Sequence, residues 1–153
     1  MKFHSSVVFV KDIEQSKDFY TRFLGFSVEH DFGENVILNN GVTLWEIDPK
    51  HTISKELKTS NASNRFELYF EEEDVEKVFD VLESAGIQFL HKIHEEPWGQ
   101  RTFRFFDLDN HLIEIGEPFE VFVNNMYRNG LTVIQISEKS GISVDTVEGL
   151  IKK

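Results

Sequence analysis

Apolar and polar positions along the chain follow one pattern twice. Ser5-Ser6-Val7-Val8-Phe9-Val10-Lys11-Asp12 and Glu67-Leu68-Tyr69-Phe70-Glu71-Glu72-Glu73-Asp74 are β-rich runs that each end on an aspartate, and the two aspartates stand 62 residues apart. An aspartate there can cap a helix by accepting from the free N–H groups of its first turn. Helical spacing follows in both copies, through Ile13, Phe19, Tyr20, Phe23 and Leu24, then through Val75, Val78, Phe79, Leu82 and Ala85. Gly25 and Gly86 supply the left-handed residue with which many helices end.

New strands are predicted after each glycine, at Phe26–His30 and Ile87–Leu90. Further strands follow near Val36–Leu38 and Thr43–Ile47, and near Arg101–Phe106 and His111–Ile115. The turns Asn39-Asn40-Gly41 and Asp107-Leu108-Asp109-Asn110 separate the members of each pair. The pattern therefore predicts an α+β protein of two β-α-β-β-β modules, 1–50 and 64–118, joined by a polar linker over 51–63. Residues 119–153 leave the β pattern and read as a helical tail. Phe119, Phe122, Val123 and Met126 share one helix, and two more fit 132–140 and 143–152 around Gly141.

Composition narrows the function. With no cysteine among 153 residues, disulfides, thiolate metal sites and cysteine nucleophiles are excluded. No apolar run reaches membrane-spanning length and the first residues do not form a signal peptide, so a cytoplasmic protein is expected. The net charge of −11 falls within residues 1–118, because Arg128, Lys139, Lys152 and Lys153 balance Glu120, Glu138, Asp145 and Glu148 in the tail. An acidic body repels phosphate polymers, which argues against nucleic acid as a partner. The tail resembles a helix-turn-helix, but Asp145 and Glu148 stand where DNA reading needs basic or amide groups, so it is expected to be a helical cap. Phosphate-binding glycine loops and a Gly-x-Ser-x-Gly elbow are missing from the sequence.

Two segments resemble the signatures of the vicinal oxygen chelate superfamily, which comprises glyoxalases, bleomycin-resistance proteins and extradiol dioxygenases. The opening one is Val8-Phe9-Val10-Lys11-Asp12-Ile13 through Phe19-Tyr20 and Leu24-Gly25-Phe26. The closing one is Trp98-Gly99-Gln100-Arg101, then Phe105-Phe106-Asp107-Leu108-Asp109-Asn110-His111 and Ile113-Glu114. Leu108 stands where the family usually has proline, and Asn110-His111 where it has Gly-Asn. The resemblance implies a curled sheet around a small-molecule cavity, often completed by a homodimer. In metal-dependent relatives four inward side chains hold one divalent ion that stabilises enolate charge.

By that resemblance the ligand positions are Ser5, Glu46, Glu67 and Glu114, with Ser5 and Glu67 where many relatives have histidine. An oxygen set suits Mg²⁺ or Mn²⁺ better than softer ions, with Ni²⁺ and Zn²⁺ the other candidates. Two of the acids have ready structural readings, Glu46 as a cross-strand hydrogen-bonding group and Glu67 as the partner of Arg101 or Arg104, while Glu114, two residues after Leu112, faces wherever Leu112 faces. Trp98 and Arg101 make a flat wall and an anion grip, and Trp45, Tyr69 and Phe103 are further lining candidates. His94, near the Trp98 loop, is an acid–base candidate.

Three functions follow from this reading. The first is a divalent-metal-dependent lyase or isomerase on a small oxygenated substrate, with Glu114 as its catalytic carboxylate. The second is a metal-free binder of antibiotic-like molecules. The third is a ligand-sensing regulator with a DNA-binding tail.

Overall fold

The computed structural model describes residues 4–51 and 66–151. The linker expected at 51–63 lies, beyond His51, outside them. The first module runs β1 (Ser6–Val10), α1 (Ile13–Phe23), β2 (Val28–Asp31), β3 (Asn35–Leu38) and β4 (Val42–Glu46). The second runs β5 (Glu67–Glu71), α2 (Val75–Ser84), β6 (Phe89–Glu95), β7 (Arg101–Phe106) and β8 (Leu112–Gly116). Three helices follow: α3 (Phe119–Arg128), α4 (Val133–Ser140) and α5 (Val144–Ile151). No helix among the described residues is long and apolar enough to cross a membrane.

Each module is a four-stranded mixed sheet of the same order, β1-β4-β3-β2 and β5-β8-β7-β6. The first strand pairs in parallel with the last, because the intervening helix carries the chain back across one face. Asp12 and Asp74 cap α1 and α2 by accepting from the backbone N–H of Gln15 and Lys77. Positive φ angles at Gly25 (68°) and Gly86 (73°) end both helices and turn the chain back into the sheet.

Strand alternation divides each sheet into a core face and an open face. In the first sheet Val8, Val10, Val36, Leu38, Val42 and Leu44 are buried with Ile13, Phe19 and Tyr20 of α1. In the second, Phe103 and Phe105 are wholly buried, and Phe103 packs edge-on against Phe79 of α2 at 5.4 Å. The helical tail has a core of its own in Phe122, Val123, Met126, Ile136 and Val147. A capping box at Thr132–Gln135 starts α4 and left-handed Gly141 ends it.

The turn between β7 and β8, residues 107–111, groups with the first module. Asp107 organises it. One carboxylate oxygen accepts from the backbone N–H of Asp109 and His111, at 2.9 and 2.8 Å. The other accepts from the buried Tyr20 hydroxyl at 2.9 Å and lies 2.8 Å from His111 Nδ1. Burial pushes the Tyr20 phenol up, with the Asp107 charge adding to it.

This turn gives the first module a defined pH response. The Asp107 hydrogen bond raises the His111 pKa against the opposing effect of burial. Burial works to raise Asp107, but the His111 contacts outweigh it and hold the carboxyl low. The His111 contribution is complete below its ordinary value of 6.5 and is lost as pH rises through the raised folded value. That of Asp107 is complete above 3.8 and is lost as pH falls through the lowered one. The pair therefore stabilises most between those two limits. Urea unfolding of wild type is expected to show stability declining from pH 6 to pH 9, and His111→Gln should remove most of that slope. Equal slopes in the two proteins would refute the assignment.

Candidate functional site

The open face of the second sheet carries the charged chemistry. Register places Tyr69, Glu114 and Arg104 abreast on β5, β8 and β7, with His91 of β6 opposite Arg104. Glu67 and Leu112 form the next rung, and Thr102 with Gly116 the one before. Arg104 is the hub. Its Nε donates to Glu67 at 3.1 Å, its Nη1 to Glu96 at 3.2 Å, and its Nη2 contacts the Glu114 carboxylate. Nη1 also points at His91 Nε2, at 3.3 Å.

One guanidinium thus sits among three carboxylates, a formal excess of two negative charges. Burial works against the Arg104 charge, but Glu67, Glu96 and Glu114 together hold its pKa above the ordinary value. Glu96 is held low despite its burial, through hydrogen bonds from Arg104 and Thr102. Glu114 is the exception. Burial raises it, Arg104 opposes, and the neighbouring Glu67 and Glu96 charges raise it further.

Beside this cluster lies an aromatic patch. Tyr69 and Trp98 are 46% and 39% exposed, so both rings face solvent. Buried Gln100 joins them: its Oε1 accepts from Trp98 Nε1 at 3.0 Å, and its Nε2 donates to the Tyr69 hydroxyl at 2.9 Å and the Glu117 carbonyl at 2.7 Å. Gly116 makes room for this arrangement, since a Cβ there would come within 2.8 Å of Gln100 Nε2 and 3.2 Å of the Tyr69 ring.

Of the remaining sequence candidates, Arg101 and Phe103 belong to the core side of the second sheet, and Glu46, Ser5 and Trp45 to the first module. Arg101 shares the core-side alternation of Phe103 and Phe105, and its guanidinium is held by Glu117 and Glu76. Phe103, expected to line a cavity, is a core residue. Glu46 pairs with Val10 and shares the core side with Leu44, where its carboxylate accepts from Ile13 N–H at 2.8 Å and caps α1. Ser5 accepts from Thr43 at 3.0 Å on the open face of the first sheet. Trp45 lies on that same face, against Phe9 at 5.9 Å and His51 at 5.4 Å.

Each of these positions is already engaged within its own unit. Glu67 and Glu114 already hold a cation of the protein's own, Glu46 is engaged on the core side of its sheet, and a serine hydroxyl is a poor primary ligand. Among the described residues no group of three or more His, Asp or Glu side chains is placed to hold a metal. From the sequence Arg104 is legible only as a partner for Glu67, and nothing local marks Glu96, His91 or Gln100. A separate cleft of about 420 Å³ lies in the second unit, between Arg101 and Glu117 on one side and Asn125, Arg128 and Asn129 of the tail on the other.

Comparison with known proteins places the chain by family. A family model described as a glyoxalase-like domain matches residues 3–120. A Bacillus subtilis (strain 168) protein, uncharacterised YraH, is 31% identical over 125 residues, spanning 75% of this chain and 97% of its own. A crystal structure of a protein of unknown function from Agrobacterium tumefaciens str. C58 is 33% identical, with a TM-score of 0.67 over 78% of this chain and 95% of that one. The genomically encoded fosfomycin resistance protein FosX from Listeria monocytogenes shares the fold, with a TM-score of 0.62 at 15% identity over 77% of this chain and 93% of its own.

Proposed function

The chain belongs to the glyoxalase-like domain family, within the glyoxalase/bleomycin resistance/dioxygenase superfamily, and we propose that it is a small-molecule-binding protein that works without a divalent metal. The observation that carries this reading is Arg104, whose guanidinium occupies the place between Glu67 and Glu114 that a chelated cation would take. Because those acids and Glu96 consume its N–H groups, Arg104 organises the face and leaves little to offer a ligand. The binding capacity that remains is excess negative charge beside the open Tyr69 and Trp98 rings. That combination favours a ring-bearing amine, held by carboxylate lone pairs and by cation–π contact.

The test uses benzylamine as probe and benzoate as charge control. Trp fluorescence and amide NMR shifts should report benzylamine binding at Tyr69 and Trp98, with Trp98→Ala weakening it roughly ten-fold. Stronger binding of benzoate than of benzylamine would overturn the proposal.

A second reading, an acid–base enzyme using Glu114, is favoured by the raised pKa of that buried carboxyl. It requires turnover that Glu114→Gln abolishes while ligand binding persists.

A further inference from the structure

His91 and His94 stand three residues apart on β6, a spacing that in a regular strand sends side chains to opposite faces. The register against β7 slips between them. His91 faces Arg104 and His94 faces Thr102, so three residues of β6 span two of β7. This bulge brings both rings to the open face, with centroids 4.4 Å apart and Nδ1 atoms 3.0 Å apart.

The donors and acceptors around the pair leave one assignment of protons. A guanidinium can only donate, so Arg104 Nη1, 3.3 Å from His91 Nε2, requires that nitrogen to be an acceptor. A neutral His91 must then carry its proton on Nδ1. That N–H has two acceptors, the Lys92 carbonyl at 2.9 Å and His94 Nδ1 at 3.0 Å. His94 Nδ1 therefore accepts, and the His94 proton sits on Nε2, which lies 3.3 Å from Glu96 Oε1. At the long end of hydrogen-bond distance, this N–H is only lightly engaged, and the His94 side chain is 45% exposed.

We infer that Arg104, acting through His91, fixes His94 as an Nε2–H donor that receives a carbonyl or hydroxyl oxygen of the bound ligand. His91 is the positioning residue and His94 the group that touches ligand. The ligand class is thereby refined to an amine that also carries an oxygen acceptor. The contact with ligand rests on the open face being the binding site, whereas the tautomers are a property of the free protein.

Long-range ¹H–¹⁵N spectra in alkaline solution, where imidazoles are neutral, read the tautomers directly. In wild type His91 should carry its proton on Nδ1 and His94 on Nε2. An Nε2–H His91 in wild type would overturn the inference without any variant. In His91→Phe, which retains Arg104 and its three carboxylates, the His94 signals should move toward a tautomer mixture, and unchanged signals would refute the positioning role. In the ligand arm, 2-hydroxybenzylamine should bind wild type roughly three- to ten-fold more tightly than benzylamine. His94→Phe should lose that preference while still binding benzylamine, and retention of the preference would overturn the donor role.

Discussion

Arg104→Met is expected to destabilise the protein by about 3 kcal/mol, a fall in Tm of roughly 6–12 °C. The methionine fills much of the same volume, so the loss is electrostatic. Glu67, Glu96 and Glu114 converge on the guanidinium, and without it they face one another with no counter-charge. Glu114, already raised by burial and by its acidic neighbours, would rise further once the opposing Arg104 charge is gone. A carboxyl whose folded pKa is raised destabilises most above that pKa, so the deficit should be larger at pH 8 than at pH 5. Chemical denaturation at the two pH values measures it. A loss below 1 kcal/mol, or one independent of pH, would mean that the three carboxylates do not depend on Arg104.

Glu117→Ala should have an effect of similar size, about 3 kcal/mol, for a different reason. Glu117 is 1% exposed, at the junction between β8 and α3. Its carboxylate accepts from the Arg101 backbone N–H at 3.1 Å, Arg101 Nε at 2.8 Å and Asn125 Nδ2 at 3.3 Å. Alanine would strand these donors and Arg101 Nη2 with them, and leave Arg101 with Glu76 alone. The double variant Arg101→Met/Glu117→Leu should lose less than Glu117→Ala, because it removes the buried charge together with its partner. Equal or greater loss in the double variant would show that packing at the junction, rather than the ion pair, sets the stability there.

Much of the fold was legible because its punctuation is local. Asp12 and Asp74 cap helices in the repeat that placed them, and Gly25 and Gly86 end those helices. The site was only half legible. Glu67 and Glu114 share the open face, and period-two alternation puts Glu114 wherever Leu112 faces. Alternation also aligns Glu46 with Leu44 on the core side, whereas the family resemblance made it an inward ligand. Arg101 and Arg104 are three apart on β7 and so take opposite faces, one tied to α2 and the other to the carboxylates. His91 and His94 defeat that same rule through a bulge that depends on pairing with β7 and leaves no local trace. The buried Gln100 bridge depends equally on strand ends that are far apart in sequence.

On the proposed reading, a guanidinium takes the part of a chelated cation in this member of the family. Titration calorimetry of chelator-treated wild type and Arg104→Met with Mg²⁺, Mn²⁺, Ni²⁺ and Zn²⁺ decides it. Wild type should show no stoichiometric binding, and Arg104→Met a new site that Glu114→Ala in the same background removes. One divalent ion per wild-type chain, lost on Glu114→Ala alone, would contradict it.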